Sequence, residues 1–360
     1  MSLSAPIPPG SVIGILGAGQ LGRMLGLAAA SLGYRTAFFC PDPESPAFQI
    51  AERFWREPYG SRAALAEFAD AVDLITYEFE NVPAAALDFL EDRKPIRPGR
   101  QALAISQDRL FEKDFLSRLG LPVAPYRAVE DLDGLKAAIN DLSLPAILKT
   151  RRLGYDGKGQ ARIIVPEEAA GAWAKLNSEQ AILEALIPFD CEISVLLARN
   201  PAGDIACWPP VLNVHQDGIL RTSEVPAPIS SVQAARAEAI ARRIADALDF
   251  IGVMAVEMFL IAGRPEPLVN EIAPRVHNSG HWTLDGSRTD QFEQHIRAIC
   301  GLPLGAADAL GRVRMENLIG DEAGRWHDLL SDPTAKLHLY GKSPPRPGRK
   351  MGHVTWLRTD

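Results

Sequence analysis

The sequence predicts a protein of mixed α/β and α+β type that ends in a small β-rich region. Three patterns indicate this fold class. Up to about residue 100, apolar runs alternate with helix-forming stretches, which is typical of a parallel sheet covered by helices. From residue 146 onward, most apolar runs follow one another across turns, as in antiparallel hairpins. Residues 301–360 are rich in glycine and proline and contain only short apolar runs.

The first part of the chain is typical of a Rossmann-like half. A buried strand over residues 12–16 leads into a glycine turn and a helix over residues 23–32, which Gly33 ends. A second strand, a helix and a third strand are predicted at 36–40, 64–71 and 72–76. A polar-faced helix over 107–119 then marks the change of pattern.

The remaining elements follow from shorter patterns. Ser230 and Ser231 can cap a long amphipathic helix that extends to residue 248, and its expected role is structural. The other predicted elements are a helix at 135–142 and strands at 146–150, 161–165, 180–186, 192–198, 253–261, 266–272, 335–340 and 352–357.

Composition is that of a soluble globular protein. The 360 residues predict two or three domains, and 47% hydrophobic with 23% charged residues is ordinary for full-sized cores. A net charge of −7 gives no general attraction for nucleic acid or for an anionic membrane, so an anionic ligand needs a local basic cluster. No apolar run approaches the ~20 residues that a membrane span requires.

The cysteines and the first residues predict a cytoplasmic location. Cys40, Cys191, Cys207 and Cys300 lie far apart and form neither a CxxC pair nor a dense disulfide framework, which fits a reducing compartment. The start of the chain lacks the basic and apolar regions of a signal peptide. We expect residues 1–11 to form a flexible N-terminus.

A glycine turn after the first strand allows several interpretations. Gly17, Gly19 and Gly22 follow a strand and open a helix, and Asp42 stands just after the second strand. This is the pattern of a dinucleotide fingerprint, in which the backbone approaches a pyrophosphate at a helix N-terminus. An NAD(P)-dependent oxidoreductase is therefore one alternative. The same turn also serves other phosphates and small anions, or no ligand at all.

A second glycine-rich loop joins two predicted strands. Lys149 ends the first of them, and the loop that follows contains Gly154, Gly157 and Gly159, with Lys158 near its tip. Its glycines leave many N–H groups accessible and let the loop close over phosphates, for which the lysines supply positive charge. Taken alone, a flexible surface hairpin remains the alternative.

Two acidic residues should face each other in a predicted hairpin. Glu257 and Glu271 are equally distant from a turn centred near Arg264, which predicts Cβ atoms ~5 Å apart across the strand pair. Opposed like charges are destabilising unless a cation lies between them, and Mg²⁺ usually binds through one or two carboxylates plus substrate phosphates. Asn270 adds a neutral oxygen beside them. The alternative is an exposed acidic pair on a sheet edge, but the glycine loop favours a kinase-like or ligase-like nucleotide site.

These residues together resemble the ATP-grasp fold, and longer strings resemble the family of 5-(carboxyamino)imidazole ribonucleotide synthases, the PurK family. The resemblance extends in order from about residue 12 to the C-terminus. Its most specific strings are 17–24 (GAGQLGRM), 77–83 (YEFENVP), 107–109 (QDR), 154–160 (GYDGKGQ), 215–221 (HQDGILR), 270–282 and 347–353 (PGRKMGH). It implies an ATP- and bicarbonate-dependent carboxylation of 5-aminoimidazole ribonucleotide, through carboxyphosphate, in purine biosynthesis.

The resemblance also implies a domain order and a nucleotide site. A Rossmann-like pre-ATP-grasp domain would span 12–106, an ATP-grasp domain 107–300 and a small β-rich C-terminal domain 301–360. Glu257 and Glu271 would carry Mg²⁺, and Glu192 would bind the ribose hydroxyls. The implied ATP-binding residues are Arg109, Lys149, Gly154, Tyr155, Asp156, Gly157, Lys158, Gly159, Gln160, Glu184, Ala185, Leu186, Ile187, Glu192, His215, Asn270 and Glu271.

The second substrate carries a 5′-phosphate and needs an anion site of its own. Asp156, Arg275 and Lys350 are the implied catalytic residues, with Asp156 and Lys350 as candidates to handle the amine proton or to orient the carboxylate. The resemblance leaves the part of Lys342 and Arg346 open. The implied ribonucleotide-binding residues are Gln20, Leu21, Glu78, Arg275, His277, Arg349 and Lys350, so the first glycine turn would face the ribonucleotide and not NAD.

Three functions remain open at the level of the sequence. The first is the carboxylating ligase, expected to be a cytoplasmic homodimer with small-molecule substrates and no nucleic-acid or membrane partner. The second is the oxidoreductase, which gives no role to the pair Glu257 and Glu271. The third is a catalytically silent ATP-binding module, which is disfavoured because the acidic pair, the lysines and a second anion site are all present.

Overall fold

The computed structural model describes residues 5–154 and 157–358. Within this part of the chain the strands form a four-stranded parallel sheet, a four-stranded antiparallel sheet and a nine-stranded antiparallel sheet. The mixed α/β and α+β class is therefore confirmed. None of the helices in the described ranges is long and apolar enough to cross a membrane.

The parallel sheet is the core of the N-terminal region, and its strand order is β3-β2-β1-β4. Its strands are β1 (Val12–Leu16), β2 (Arg35–Phe39), β3 (Arg53–Trp55) and β4 (Leu74–Tyr77). The helices of this region are α1 (Gln20–Ser31), α2 (Arg62–Asp70), α3 (Ala84–Glu91) and α4 (Arg100–Ser106).

A helix and a small antiparallel sheet follow. The helix is α5 (Arg109–Arg118), and the sheet has the order β5-β8-β6-β7. The strands are β5 (Tyr126–Val129), β6 (Ala146–Thr150), β7 (Gln160–Ile163) and β8 (Ala181–Ala185). Helices α6 (Leu132–Leu142) and α7 (Ala169–Leu176) pack on this sheet and share its apolar cluster.

The large antiparallel sheet has the order β14-β13-β9-β11-β12-β15-β17-β16, with β10 paired to β9. Its strands are β9 (Cys191–Arg199), β10 (Ile205–Cys207), β11 (Val211–Gln216), β12 (Ile219–Val225), β13 (Gly252–Leu260), β14 (Leu268–Ala273), β15 (Arg312–Ile319), β16 (Ala335–Leu339) and β17 (Lys350–Arg358). The helices are α8 (Ser231–Ala247), α9 (Thr283–Gly286), α10 (Gln291–Cys300) and α11 (Trp326–Leu330). Because β15 pairs with β12, the sheet crosses the proposed domain boundary at residue 301.

Most predicted elements are confirmed, including the helix that Ser230 caps by accepting from the Gln233 N–H at 3.2 Å. The expected hairpin of β8 and β9 is wrong, because these strands follow each other in the chain but lie in different sheets. The sequence does not predict β11, β12 and β15, because polar residues interrupt their apolar runs and β15 pairs with strands distant in the chain.

Part of the N-terminal segment that we expected to be flexible is packed against the body of the protein. Ile7 is buried, and its N–H donates to the carbonyl of Cys300 at 2.9 Å. Its own carbonyl accepts from the Tyr34 hydroxyl at 2.6 Å.

One buried histidine joins the parallel sheet to the large sheet. His295 on α10 is fully buried and bonds through Nε2 to Thr76 Oγ1 on β4 at 2.9 Å. Its Nδ1 accepts from the Val253 N–H of β13 at 3.1 Å. Burial lowers the pKa of His295 to about 3, so the ring is neutral at physiological pH and serves as a polar link.

Replacing this link should destabilise the fold. In His295→Leu the Val253 N–H and the Thr76 hydroxyl lose their buried partner, and we expect the free energy of unfolding to fall by about 1–3 kcal/mol for each group left unsatisfied. Urea denaturation followed by circular dichroism measures the change. The matched control is His327→Leu on α11, where the side chain is exposed; equal midpoints for the two variants would contradict the assignment.

Candidate active site

The acidic pair lies on the β13–β14 hairpin. Glu257 and Glu271 are register partners, as the sequence predicts. A bulge follows, because Met258 pairs with Val269 and leaves Asn270 as the extra residue beside Glu271. Burial, followed by the charge of Glu271, raises the pKa of Glu257. Two carboxylates this close need a positive group near them.

The donor chemistry of this hairpin fits a hard divalent cation. Carboxylate oxygens of Glu257 and Glu271 with the amide oxygen of Asn270 nearby are the ligand types that Mg²⁺ prefers. Among the described residues no group of three or more His, Cys, Asp or Glu side chains could hold a metal. A cation here would therefore need further oxygens, such as those of nucleotide phosphates.

A cationic cluster lies next to the pair. Arg109, at the start of α5, donates to Glu271 Oε2 at 3.1 Å. Lys149 Nζ donates to Glu184 Oε2 at 3.1 Å, and Lys113 Nζ lies 3.5 Å from the same oxygen. Burial alone would raise the pKa of Glu184, but the charges of Lys113, Lys149 and Arg109 lower it to about 2. The Glu184 side chain thus belongs to the charge cluster and holds the Lys149 ammonium group in place.

The glycine loop joins β6 to β7 of the small sheet and approaches the large sheet. The Gly154 carbonyl accepts from Arg109 at 3.4 Å, and the Arg109 N–H donates to the Arg151 carbonyl at 2.9 Å. Gly157, at φ +74°, passes so close to the β11–β12 turn that a Cβ there would lie 3.2 Å from the Asp217 carbonyl oxygen. The loop therefore spans the cleft between the sheets.

The other described residues of the glycine loop that are predicted to bind ATP lie between Gly157 and the start of β7. Gly159 has φ +70°, and a Cβ on it would lie 2.6 Å from Thr150 Oγ1. Gln160 begins β7 as the register partner of Lys149. Lys158 precedes this strand by two residues and is exposed. Tyr155 and Asp156, both predicted to bind ATP, lie outside the described residues.

The segment from Glu184 to Ile187, predicted to bind ATP, lies at the end of β8. Ala185 is the last residue of β8, and Leu186 and Ile187 lead from it towards β9. The N–H groups of Ala185 and Leu186 donate to the carbonyls of Pro125 and Pro145 at 2.9 and 3.0 Å, so these two amides are already used within the protein.

Glu192 on β9 contacts His215 Nδ1 on β11. Burial alone would lower the pKa of His215, but the bond to Glu192 raises it. This histidine–carboxylate pair joins β9 to β11 at the residue that is predicted to bind the ribose.

The predicted second anion site begins where β14 ends. Arg275 forms an ion pair with Glu80 and donates to the Val276 carbonyl at 2.9 Å. His277 Nε2 lies 3.3 Å from Glu257 Oε1, which links the two sites. Burial, together with the charges of Arg275 and Lys350, lowers the pKa of His277 well below its usual value, so its ring is neutral.

The C-terminal basic residues approach the same region in part. Lys350 begins β17, and its charge also affects the pKa of Glu257. Lys342 Nζ donates to the Lys350 carbonyl at 3.1 Å. Arg349 donates instead to the loop carbonyls of Ser343 and Pro344 at 3.1 and 2.9 Å, and Arg346 is exposed.

The first glycine turn is occupied by an internal carboxylate. Glu78 Oε1 accepts from the Gly19 N–H at 2.7 Å, and Oε2 accepts from the Gly22 N–H at 3.1 Å. These are the amides that a dinucleotide pyrophosphate would need, so the turn does not fit the oxidoreductase alternative. Asp42, the other part of the fingerprint, accepts from the Glu44 N–H within its own loop at 3.0 Å.

The residues at the start of α1 differ in what they can offer a ligand. Gln20 is the first residue of the helix and is half-buried. The Leu21 side chain is buried in the apolar core, so a contact from this residue to a ribonucleotide would have to come from its main chain.

Four charged residues of the site have no assigned role at the level of the sequence: Asp108, Glu112, Lys113 and Glu80. A helical signal was present for two of them, Glu112 and Lys113. The spacing of Arg109, Glu112 and Lys113 puts all three on one face of the predicted polar helix. Asp108 and Glu80 belong to strings that carry the family resemblance, but their partners are distant in sequence.

Asp108 fixes the base of the glycine loop. Its carboxylate caps α5 by accepting from the Leu110 N–H at 3.0 Å and binds Arg151 through two bonds of 3.0 and 2.8 Å. It is almost fully buried. In Asp108→Asn the amide oxygen can still cap the helix, but the charge-assisted pair with Arg151 is lost.

We therefore expect Asp108→Asn to weaken ADP binding by about tenfold or more. The measurement is isothermal titration calorimetry with ADP and Mg²⁺. The control is Asp114→Asn on the same helix, whose carboxylate binds the Tyr126 hydroxyl at 2.7 Å, away from the loop. Equal ADP affinities in the two variants would remove Asp108 from the support of the loop.

Three family models match this chain in the order of its structural regions. They are the ribonucleotide synthetase preATP-grasp domain over residues 11–107, the ATP-grasp domain over 114–292 and the phosphoribosylaminoimidazole carboxylase C-terminal domain over 314–360.

Individual relatives match almost the whole chain. The N5-carboxyaminoimidazole ribonucleotide synthase of Brucella melitensis is 49% identical over 98% of both chains. The ADP complex of such a synthetase superposes with a TM-score of 0.96 at 42% identity, covering 99% of this chain and 95% of the other. The synthase of Aspergillus clavatus, solved with ADP and 5-aminoimidazole ribonucleotide, gives 0.89 at 30% identity, covering 97% and 94%. The chain belongs to the N5-carboxyaminoimidazole ribonucleotide synthase family of ATP-grasp enzymes.

Proposed function

We propose that this protein carboxylates 5-aminoimidazole ribonucleotide to N5-carboxyaminoimidazole ribonucleotide with ATP and bicarbonate, releasing ADP and phosphate, as a step of purine biosynthesis. The observation that carries the proposal is that β14 and the residues after it contact both groups of charged residues. The strand presents Glu271 to the cationic cluster, and the chain then presents Arg275 on the other side. The nucleotide site and the proposed ribonucleotide site would then lie side by side at the end of β14. A reaction between ATP and a phosphorylated amine requires this arrangement.

The first step is the activation of bicarbonate. A bicarbonate oxygen attacks the γ-phosphorus of ATP, and the bond between that phosphorus and the oxygen of the β-phosphate breaks. The products are carboxyphosphate and ADP. Phosphoryl transfer of this kind depends on positioning and charge neutralisation. Arg109, Lys149 and the amides of the glycine loop supply both. Glu257 and Glu271 would hold Mg²⁺, which neutralises phosphate charge when bound.

The second step joins the carboxyl group to the amine. The exocyclic amine attacks the carboxyl carbon of carboxyphosphate, or CO₂ released from it, phosphate leaves, and the nitrogen loses one proton. Asp156 and Lys350 are our candidates for receiving that proton or orienting the carboxylate. Carboxyphosphate hydrolyses readily, so the loop that spans the cleft would also exclude water.

The ribonucleotide is proposed to bind at the strand exit. Arg275 and Lys350 supply positive charge for its 5′-phosphate, with His277 and Gln20 as neighbours. Arg349 would reach it only by leaving its loop carbonyls. Glu78 acts through the glycine turn that it holds.

Family membership also supports a cytoplasmic homodimer. Light scattering on the purified protein tests the dimer, and cell fractionation tests the location.

ADP release tests the reaction directly. With ATP, Mg²⁺ and bicarbonate present, we expect 5-aminoimidazole ribonucleotide to stimulate ADP release strongly, because the amine consumes carboxyphosphate. Absence of stimulation would exclude this substrate and leave the ligase class in place. Omission of bicarbonate is the matched control.

Asp156→Ala tests the second step. We expect ADP release to continue in this variant while formation of the carboxylated product falls, because proton handling is lost after carboxyphosphate has formed. The ratio of product to ADP gives the coupling. A ratio equal to that of the unaltered protein would remove Asp156 from the mechanism.

A further inference from the structure

We propose that Glu112 and Lys113 are positioning residues that set the place of Asn270 and Glu271 in the nucleotide site. The proposal rests on the proposed function, because it assigns a role to two residues that support the same site. Neither residue is expected to touch a substrate.

One face of α5 contacts three consecutive residues of β14. Arg109 donates to the Glu271 carboxylate at 3.1 Å, and Lys113 Nζ donates to the Asn270 carbonyl at 2.7 Å. Glu112 Oε1 accepts from the Ile272 N–H at 2.6 Å. Helical spacing places these three side chains together, so a single helix face holds the bulged segment.

The position of β14 in the sheet explains why this support is needed. Among the described residues β14 is the edge strand of the large sheet, so its outer side faces no further strand of that sheet, and Val269 forms an isolated bridge there, with Val123. Buried backbone groups need partners, and α5 supplies them to the Asn270 carbonyl and the Ile272 N–H. Together with the bond from the Val269 N–H to the Pro122 carbonyl at 2.8 Å, these bonds support the bulged segment from its outer side.

Burial restricts Glu112 and Lys113 to this one arrangement. Glu112 is 2% exposed and Lys113 is 1% exposed, and polar side chains buried to this degree require bonded partners. Lys113 Nζ also lies 3.5 Å from Glu184 Oε2 on β8. One ammonium group thus bonds to both sheets that enclose the nucleotide cleft.

The charge of Glu271 interacts electrostatically with Glu112 and Lys113. Burial, followed by the charge of Glu271, raises the pKa of Glu112 to about 8, although Lys113 opposes the shift. A change at Glu112 or Lys113 therefore alters the surroundings of the carboxylate that is proposed to bind metal. Removing the partner that orients a metal ligand typically weakens metal binding by 10–100-fold.

The test compares metal binding with nucleotide binding in three variants. Lys113→Met removes the donor to Asn270, Glu112→Leu removes the acceptor for Ile272, and Glu112→Gln keeps an acceptor oxygen. Arg118→Met is the control for a lost positive charge, because Arg118 is exposed on the same helix. Mn²⁺ binding to the ADP complex is measured by electron paramagnetic resonance, and metal-free ADP binding is measured by calorimetry in EDTA.

We expect about tenfold weaker Mn²⁺ binding in Lys113→Met and Glu112→Leu, with metal-free ADP binding within a factor of about three of the unaltered protein. Glu112→Gln should recover most of the Mn²⁺ affinity, and Arg118→Met should change neither quantity. Unchanged Mn²⁺ affinity would overturn the proposal. An equal loss of Mn²⁺ and metal-free ADP binding would do the same, since it indicates a general structural role.

Two further comparisons keep these outcomes separate. If Lys113→Met does not fold, the pair Glu112→Leu and Glu112→Gln decides, since only the first loses the bond to Ile272. The binding measurements contain no ribonucleotide and no bicarbonate. A Mn²⁺ effect without ribonucleotide-stimulated ADP release would therefore contradict the proposed substrate and leave the positioning role supported.

Discussion

Two carboxylates lie opposite each other at the edge of the large sheet, and their repulsion determines what the surrounding residues must supply. Glu257 and Glu271 are fixed in register by the β13–β14 pair, so they cannot separate without breaking the ladder. Positive charge therefore has to come from neighbouring elements. Arg109 supplies part of it directly, and the proposed metal would supply the rest when nucleotide phosphates complete its coordination. This arrangement ties metal binding to nucleotide binding.

Helix α5 links the small sheet to the large sheet through its charged side chains. Its N-cap, Asp108, holds Arg151 at the base of the glycine loop, and Arg109 contacts both that loop and Glu271. One turn later, Lys113 reaches the edge strand and Glu184 of the small sheet. The cleft between the sheets is thus lined by charges that are already paired, and an entering nucleotide exchanges partners within a prepared network.

Internal carboxylates also organise the proposed second anion site. Glu78 binds the amides of the first glycine turn, and Glu80 binds Arg275. Both residues come from one short segment after β4, so the parallel sheet places the turn and the arginine relative to each other. The neutral ring of His277 stands between Glu257 and the positive charges of Arg275 and Lys350, at the border of the two sites.

The sequence by itself determined the local features: most strands, the opposition of Glu257 and Glu271, the glycine loop between β6 and β7 and, through ordered motifs, the family. It also determined helices α1, α2, α5, α6 and α8. These depend on periodicity, turn symmetry and short strings, which are local in the chain. Tertiary structure alone decided which groups meet across long separations. One example is the Glu78 carboxylate in the first glycine turn, and another is the placement of β8 and β9 in separate sheets. A third is the set of hydrogen bonds from Glu112 and Lys113 to the edge strand β14. Their physical basis is the need of buried charges and unpaired main-chain groups for partners, and the fold decides which partners are within reach.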